Sequence, residues 1–411
     1  MSSDTSLIAC QRHLFDIPDD VAYFNCAYQS PLLRTAVAAG EAGISLKTQP
    51  WHLKPADFFS LPEQARQLFA RLINAKADDI AIVGSASYGI ETALKNIALQ
   101  ASDKVLVCAE EFPSNLYPVR RAVHQAGAEL VTVQRPADDD WTRAVLARID
   151  ADTRLALLTH CHWTDGGLID LAAVRQALDA HGGFLVVDAT QSLGAMPLDV
   201  SSVRPDFLVA AGYKWLMGPY SLGFLYAAPH LQHGEALEEN WVNRAGAQDF
   251  TRLLDYRDGY ANGARRYDMG ERSNFVALPM AIAAFEQILQ WQPQRIARSL
   301  RLCNDHIAKE AAAWGLQAAP SALRAGHFLG LRWPGSLPPG LTDELAAAQV
   351  HVSIRGSAIR VTPHLYNNER GTSPVCCKCC KTWPSRSEIG LTLAAASGGI
   401  RPHFAQILTL G

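Results

Sequence analysis

The chain has no apolar run approaching the roughly 20 residues that a membrane helix needs, which predicts a protein with no membrane partner. Its N-terminus, MSSDTSLIACQRHLFDIPDD, lacks a basic stretch leading into a long apolar run, so no signal peptide is expected. A basic excess is missing too. Thirty-seven Lys and Arg face 40 Asp and Glu, a formal net charge of −3, which is too even for a broad nucleic-acid surface. Of nine cysteines, four crowd into CCKCC at 376–380. The other five (Cys10, Cys26, Cys108, Cys161 and Cys303) stand singly in apolar surroundings, as reduced core thiols do. A cytoplasmic protein is therefore expected. There is no internal repeat and no long linker. What remains is an ordinary globular composition, 48% hydrophobic and 19% charged over 411 residues, enough for one large domain and a smaller one.

From about residue 63 to 227, short apolar runs alternate with helix-like segments. DIAIVGSAS, DKVLVCAEEF, AELVTVQR, TRLALLTHCH, GFLVVDATQ, DFLVAAGYKW and LGFLYAAP read as strands, with segments such as YGIETALKNIALQ and LIDLAAVRQALDAHG as helices between them. Strands apolar on both faces, alternating with helices, predict an α/β fold with a mostly parallel seven-stranded sheet. Ligands in such sheets bind beyond the carboxyl ends of the strands. Ser87, Phe112, His162, Asp188 and Lys214 each end or follow an apolar run, so they fall there. After residue 275 two amphipathic helices and shorter strand-like pieces predict a smaller α+β domain.

Several motifs have chemical meaning. VGSASYGIETA (83–93) is neither a Walker loop nor a dinucleotide fingerprint, since the lysine and the three-glycine spacing are missing. Read alone, it caps a helix or holds a phosphate at a helix N-terminus. Asp188 ends a buried strand, where a carboxylate either caps the next turn or pairs with a cation such as a protonated ring nitrogen. Gln191 follows with an amide. Lys214, flanked by Gly212, Tyr213, Trp215 and Leu216, has little chance to snorkel. A lysine desolvated in this way becomes a nucleophile toward a carbonyl and forms a Schiff base. His160 and His162 suggest either a structural pair or site residues; a zinc site would need further ligands.

Taken together, VVDATQSLGAMPLDV and DFLVAAGYKWLMGPYSLGFLY resemble the cofactor signature of the class V aminotransferases, fold-type-I pyridoxal-phosphate enzymes. That group includes cysteine desulfurases, selenocysteine lyases, kynureninases and isopenicillin-N-epimerase-like proteins. The resemblance runs from about residue 20 to 368. It implies pyridoxal 5'-phosphate as cofactor, attached to Lys214, with Asp188 on the ring nitrogen and Gln191 on the phenolic oxygen. It implies Phe112 stacked on the ring, Ser85, Ala86, Ser87 and Tyr213 around the phosphate, and His162 or Trp163 facing the cofactor. Gly270 and Ser273, in RRYDMGERSNF, would reach a partner subunit's phosphate in a homodimer. Arg360, in VSIRGSAIRVTPHLYN, matches the arginine that grips the substrate carboxylate, and Arg355 is a second candidate.

Two departures qualify the resemblance. Desulfurases carry a mobile cysteine near this loop, but Gly356 to Arg360 contains none. After HLYNNE the family's amphipathic helix is replaced by RGTSPVCCKCCKTWPSRSEIG and its continuation, read as a tail in a shifted frame or a divergent extension. The expected plan is residues 1–25 contributing to the small domain, 26–270 binding the cofactor, 271–368 forming the small domain and 369–411 the tail. The expected function is chemistry at the α-carbon of an amino acid, in the aminotransferase or isopenicillin-N-epimerase style. A cysteine desulfurase or selenocysteine lyase is the alternative, and a non-catalytic ligand-binding protein is a further one.

Overall fold

The computed structural model describes residues 6–367 except 314, 334 and 336. The reading of residues 369–411 as a divergent tail lies outside the described residues. The chain divides into two compact units.

The larger unit comprises Leu32–Trp163 and Gly167–Pro293. Its seven strands are β1 (Ile80–Val83), β2 (Lys104–Cys108), β3 (Glu129–Val133), β4 (Thr153–Thr159), β5 (Phe184–Asp188), β6 (Phe207–Ala211) and β7 (Gly223–Ala227). They form one sheet in the order β1-β7-β6-β5-β4-β2-β3. Only β7 runs against its neighbours, pairing antiparallel with both β1 and β6. The mostly parallel seven-stranded sheet is the one expected. The central strands are buried along almost their whole length, because helices cover both faces.

The helices follow from local sequence. Helix α1 (Arg34–Thr48) and helix α2 (Asp57–Leu72) come before the sheet. Helix α3 (Ala86–Lys95) begins at Ser85, whose hydroxyl accepts from the Tyr88 N–H. Helix α4 (Pro113–Ala126) begins at a proline and stops at Gly127, which takes a left-handed φ of 69°. Helices α3 and α4 supply Ile90, Val119 and Val123 to a core with Val105, Val107, Leu155 and Val209. On β7 the side chains alternate. Leu225 enters that core, while Phe224 stacks on Phe69 of α2 at 4.7 Å on the other face.

Helix α5 (Ala277–Trp291) belongs to this larger unit, although the sequence suggested a small domain from residue 271. Two glycines of α1 explain the difference. A Cβ on Gly43 would stand 2.1 Å from the Phe275 carbonyl oxygen, and one on Gly40 would stand 2.9 Å from Met280 Sδ. At Gly43 the bare backbone lets the two segments pack at a distance no larger residue permits, and at Gly40 it leaves room for the Met280 side chain.

The smaller unit gathers residues 6–31, Thr164–Gly166 and 294–367. Three of its strands, β8 (Leu329–Arg332), β9 (Ser353–Arg355) and β10 (Ala358–Val361), make an antiparallel sheet in the order β9-β10-β8. Helix α6 (Pro293–Ala312) covers it with Ile307 and Ala311. The tripeptide Thr164–Gly166 joins this unit because Gly330 lets Asp165 approach; a Cβ there would meet Asp165 Cα at 2.6 Å. Between β9 and β10 the chain turns through Gly356 and Ser357 alone, since Arg355 is paired with Ala358.

Candidate active site

The site lies in the larger unit, at the carboxyl ends of its strands. There Thr159 of β4 is in register with Asp188 of β5, and Asp188 with Val209 of β6. Around them is a cavity of about 270 Å³, near the lower end for small-molecule sites, which start at about 300 Å³.

One wall is the turn from β1 into α3. Ser85 is the N-cap, and its Oγ lies 2.8 Å from Ser87 Oγ. The first N–H groups of a helix have no intrahelical acceptor, and the helix dipole adds positive potential there. Ser85, Ala86 and Ser87 thus present hydroxyl and backbone donors where an anion is favoured.

The floor is polar and buried. Asp188, 6% exposed, accepts at Oδ1 from the Thr190 N–H and at Oδ2 from Asn115 Nδ2, each at 2.9 Å. Gln191 Oε1 accepts from the Trp215 indole N–H at 3.0 Å. An indole nitrogen only donates, so this bond fixes which end of the amide is the oxygen. Behind the floor sits Glu111. Burial, and after it the nearby Asp188 charge, push its carboxyl up to about 8.

Lys214 hangs on the loop between β6 and β7. That loop is pinned at its ends by the Gly212 N–H to Leu222 O at 2.8 Å, and inside by the Gly218 N–H to Gly212 O at 2.8 Å. The lysine is 7% exposed, and its Nζ lies 5.5 Å from the ring centroids of both Phe112 and Tyr213. Phe112 is braced edge-on by Trp163 at 5.3 Å, and the Trp163 indole donates to Glu110 O at 2.6 Å.

Of the residues expected from the sequence, Ser85, Ala86, Ser87, Phe112, Asp188, Gln191, Tyr213 and Lys214 all line this cavity. His162 does not, and that expectation is corrected. Its ring is fully buried, stacked on Trp141 at 4.9 Å and 7°, with Nε2 3.0 Å from Ala109 O. The interior satisfies the imidazole, and the next side chain, Trp163, faces the cavity. Gly270 and Ser273 also lie away from it. The Gly270 N–H donates to Glu238, and the Ser273 hydroxyl donates to the Phe58 carbonyl.

Arg355 and Arg360 stand on the hairpin of the smaller unit. Arg360 is 1% exposed, its Nε donates to Ser353 Oγ at 2.8 Å, and its guanidinium lies 6.0 Å from the Phe328 ring centroid. Burial, then repulsion from Arg355, pulls it below the usual arginine value. Arg355 is half-buried and donates to Ile354 O at 2.7 Å.

Sequence reasoning missed Ser114, Thr159, Thr190, Tyr220 and Ser221, which also line the cavity. Thr159 had a signal, since it ends a strand as Asp188 does. Tyr220 had none, because its place depends on the fold of the Lys214 loop.

The donor set can be tested against pyridoxal phosphate. A buried carboxylate suits a protonated ring nitrogen, and a helix N-terminus with two hydroxyls suits a phosphate. A primary amine suits a carbonyl carbon, and Phe112 offers a flat face to a ring. The residues present fit the group.

Comparison with known proteins agrees. The family model described as Aminotransferase class-V matches residues 49–249. An aminotransferase of Bacillus subtilis is 28% identical over 321 residues, covering 75% of this chain and 80% of that protein. Isopenicillin N epimerase of Streptomyces clavuligerus is 29% identical over 199 residues, 46% of this chain and 50% of the epimerase. The solved complex of a cystine C–S lyase with cysteine persulfide superimposes with a TM-score of 0.76 at 20% identity. It covers 89% of this chain and 98% of the lyase, and it identifies the fold as that of the fold-type-I enzymes. The matched segment contains both the strand ending in Asp188 and the loop bearing Lys214, and over that segment the chain is similar to the aminotransferase class-V family, whose enzymes depend on pyridoxal phosphate.

Proposed function

We propose that the protein catalyses a reaction at the α-carbon of an amino acid, in the manner of the aminotransferase and epimerase members of that family. The observation that carries the reading is the arrival of Lys214 and Asp188, from the ends of neighbouring strands, in one cavity with a helix N-terminus. When bound, pyridoxal phosphate supplies a carbonyl that takes up primary amines and a ring that accepts the electron pair left at the α-carbon. Asp188 holds the proton on the ring nitrogen. Gln191 Nε2 donates to the ring oxygen, Phe112 covers a ring face, and Ser85 to Ser87 with Tyr213 hold the phosphate. Lys214 would anchor the cofactor through its Nζ, and the same amine would move the proton at the α-carbon. Arg360 grips the substrate carboxylate.

The desulfurase or selenocysteine lyase reading finds less support. It needs a thiol on a movable loop, and the matching stretch is a hairpin with a two-residue turn and no cysteine. A cytoplasmic homodimer completes the proposal, supported by single free thiols and by the exposed Val37, Ile44 and Trp51 on and after α1. Light scattering giving a monomer mass would remove the dimer.

The test is absorbance titration of the cofactor-loaded protein with a panel of amino acids. Amino-acid-dependent spectral change is expected, and borohydride should fix the cofactor on Lys214. Cofactor uptake with no response to any amino acid would leave a ligand-binding protein instead.

A further inference from the structure

Glu111 is a wholly buried acid for which the proposed chemistry has no use. It lies in the turn between β2 and α4, in EEFPSN. Its Oε1 accepts from the Phe112 N–H at 2.7 Å and from Asn115 Nδ2 at 3.2 Å. The same Nδ2 donates to Asp188 Oδ2 at 2.9 Å. An amide nitrogen carries two protons, so both are spent on tying the two carboxyl groups together. Among the described residues, Glu111 Oε2 and Asn115 Oδ1 have no hydrogen-bond partner. The Asn115 side chain is therefore oriented by these two acids.

Resting on the reading of Asp188 as the group that faces the ring nitrogen, we propose that Glu111 is a positioning residue that acts on this nitrogen through Asn115. Its carboxyl holds the amide against Asp188 Oδ2, and when ionised it adds a second negative charge behind Asp188. That charge tightens the hold on the proton of the ring nitrogen. Because Oε1 already takes two donors, a proton carried by Glu111 sits on Oε2.

The surroundings support a change of charge in the working range. Glu111 is pushed up to about 8, first by burial and then by Asp188. Cys108, at the end of β2, is raised as well, by burial and then by Glu111. Toward the surface Glu110 is paired with Arg135 at 2.7 Å. Across Phe112, the Lys214 Nζ lies 5.5 Å from the ring centroid. Below about pH 8 the pair of acids carries one negative charge, and above it two.

The experiment loads the full-length protein with pyridoxal phosphate labelled with 15N in the ring and follows the ring-nitrogen chemical shift against pH. Wild type should show an inflection near pH 8 that Glu111→Gln lacks; the glutamine oxygen still accepts both donors, so geometry is kept while the charge is removed. Asn115→Ala tests the same link by a second route. It should flatten the inflection and weaken cofactor binding about tenfold, the scale of one hydrogen bond to a charged group. Superimposable curves for wild type and Glu111→Gln, with cofactor bound in both, overturn this inference alone. An unchanged inflection in Asn115→Ala does the same. A wild-type protein that takes up no pyridoxal phosphate overturns the site reading and this inference together.

Discussion

Gly194 lies against the Trp215 backbone so closely that a Cβ on it would stand 2.3 Å from the Trp215 carbonyl oxygen. Gly194 also holds a φ of 100°, a region that side chains avoid. The segment after Asp188 thus supports the one after Lys214, and the two halves of the site meet in a close backbone contact.

Gly194→Ala should therefore both strain its own backbone and displace Trp215. The expected loss is about 2–4 kcal/mol, from the disallowed φ and the overpacking together. Denaturant melts of the apo protein measure it, and cofactor loading should fall in parallel because Lys214 is the adjacent residue. A variant as stable as wild type would mean the contact is slack.

Asp188→Asn tests the floor of the site. Both Asp188 oxygens accept N–H donors, from Thr190 and from Asn115. Asparagine offers only one oxygen, so one donor loses its partner at about 1–3 kcal/mol. Exchange of the substrate α-proton should fall by several orders of magnitude while some cofactor is retained. A fall of about tenfold or less, about 1.4 kcal/mol, would make Asp188 a structural residue.

Arg360→Ala should weaken amino-acid binding about 30- to 1,000-fold, since a charge-assisted bidentate contact contributes roughly 2–4 kcal/mol. Amines without a carboxylate should bind as before. Arg360→Lys should recover only part, because an ammonium lacks the planar fork. If the alanine variant binds amino acids normally but melts earlier, Arg360 serves the hairpin through Ser353, and Arg355 becomes the candidate.

His160 predicts a pH effect on stability. Burial pulls it down to about 4 from an ordinary 6.5, opposed by the Asp170 charge. The unfolded chain then binds the proton first as pH falls, so the native state loses stability between about 6.5 and 4. Melting temperatures of wild type should drop through that window, and a His160→Gln variant should drop less. Parallel profiles would assign the acid sensitivity to other groups.

Much of the large unit was legible in the sequence. Strands such as TRLALLT and FLVAA are apolar on both faces, a pattern that only a covered sheet explains. The site followed because its chemistry stands at strand ends. The boundary at 271 was not legible. ALPMAIAAFEQILQW shows an apolar face but not its partner, which is set by Gly40 and Gly43 far upstream. His162 was misplaced because an imidazole stacked in the interior and one facing a cofactor leave the same mark on a sequence. Asn115 carried a signal that went unused. It stands in the first turn of α4, four residues after Glu111, close enough in sequence for its amide to reach back past the helix start to that carboxyl.

The insertion of β7 between β1 and β6 has a consequence for the birth of the protein. On the ribosome, Ile80–Val83 emerges long before Gly223–Ala227, the strand that joins it to the rest of the sheet. Until that strand arrives, β1 and the growing block of parallel strands each present an open, apolar edge, the kind that captures other chains. The lysine precedes the closing strand by only a few residues, so the cofactor has nothing complete to bind while the edges are open. Bound cofactor can therefore stabilise the sheet only after that strand has closed it.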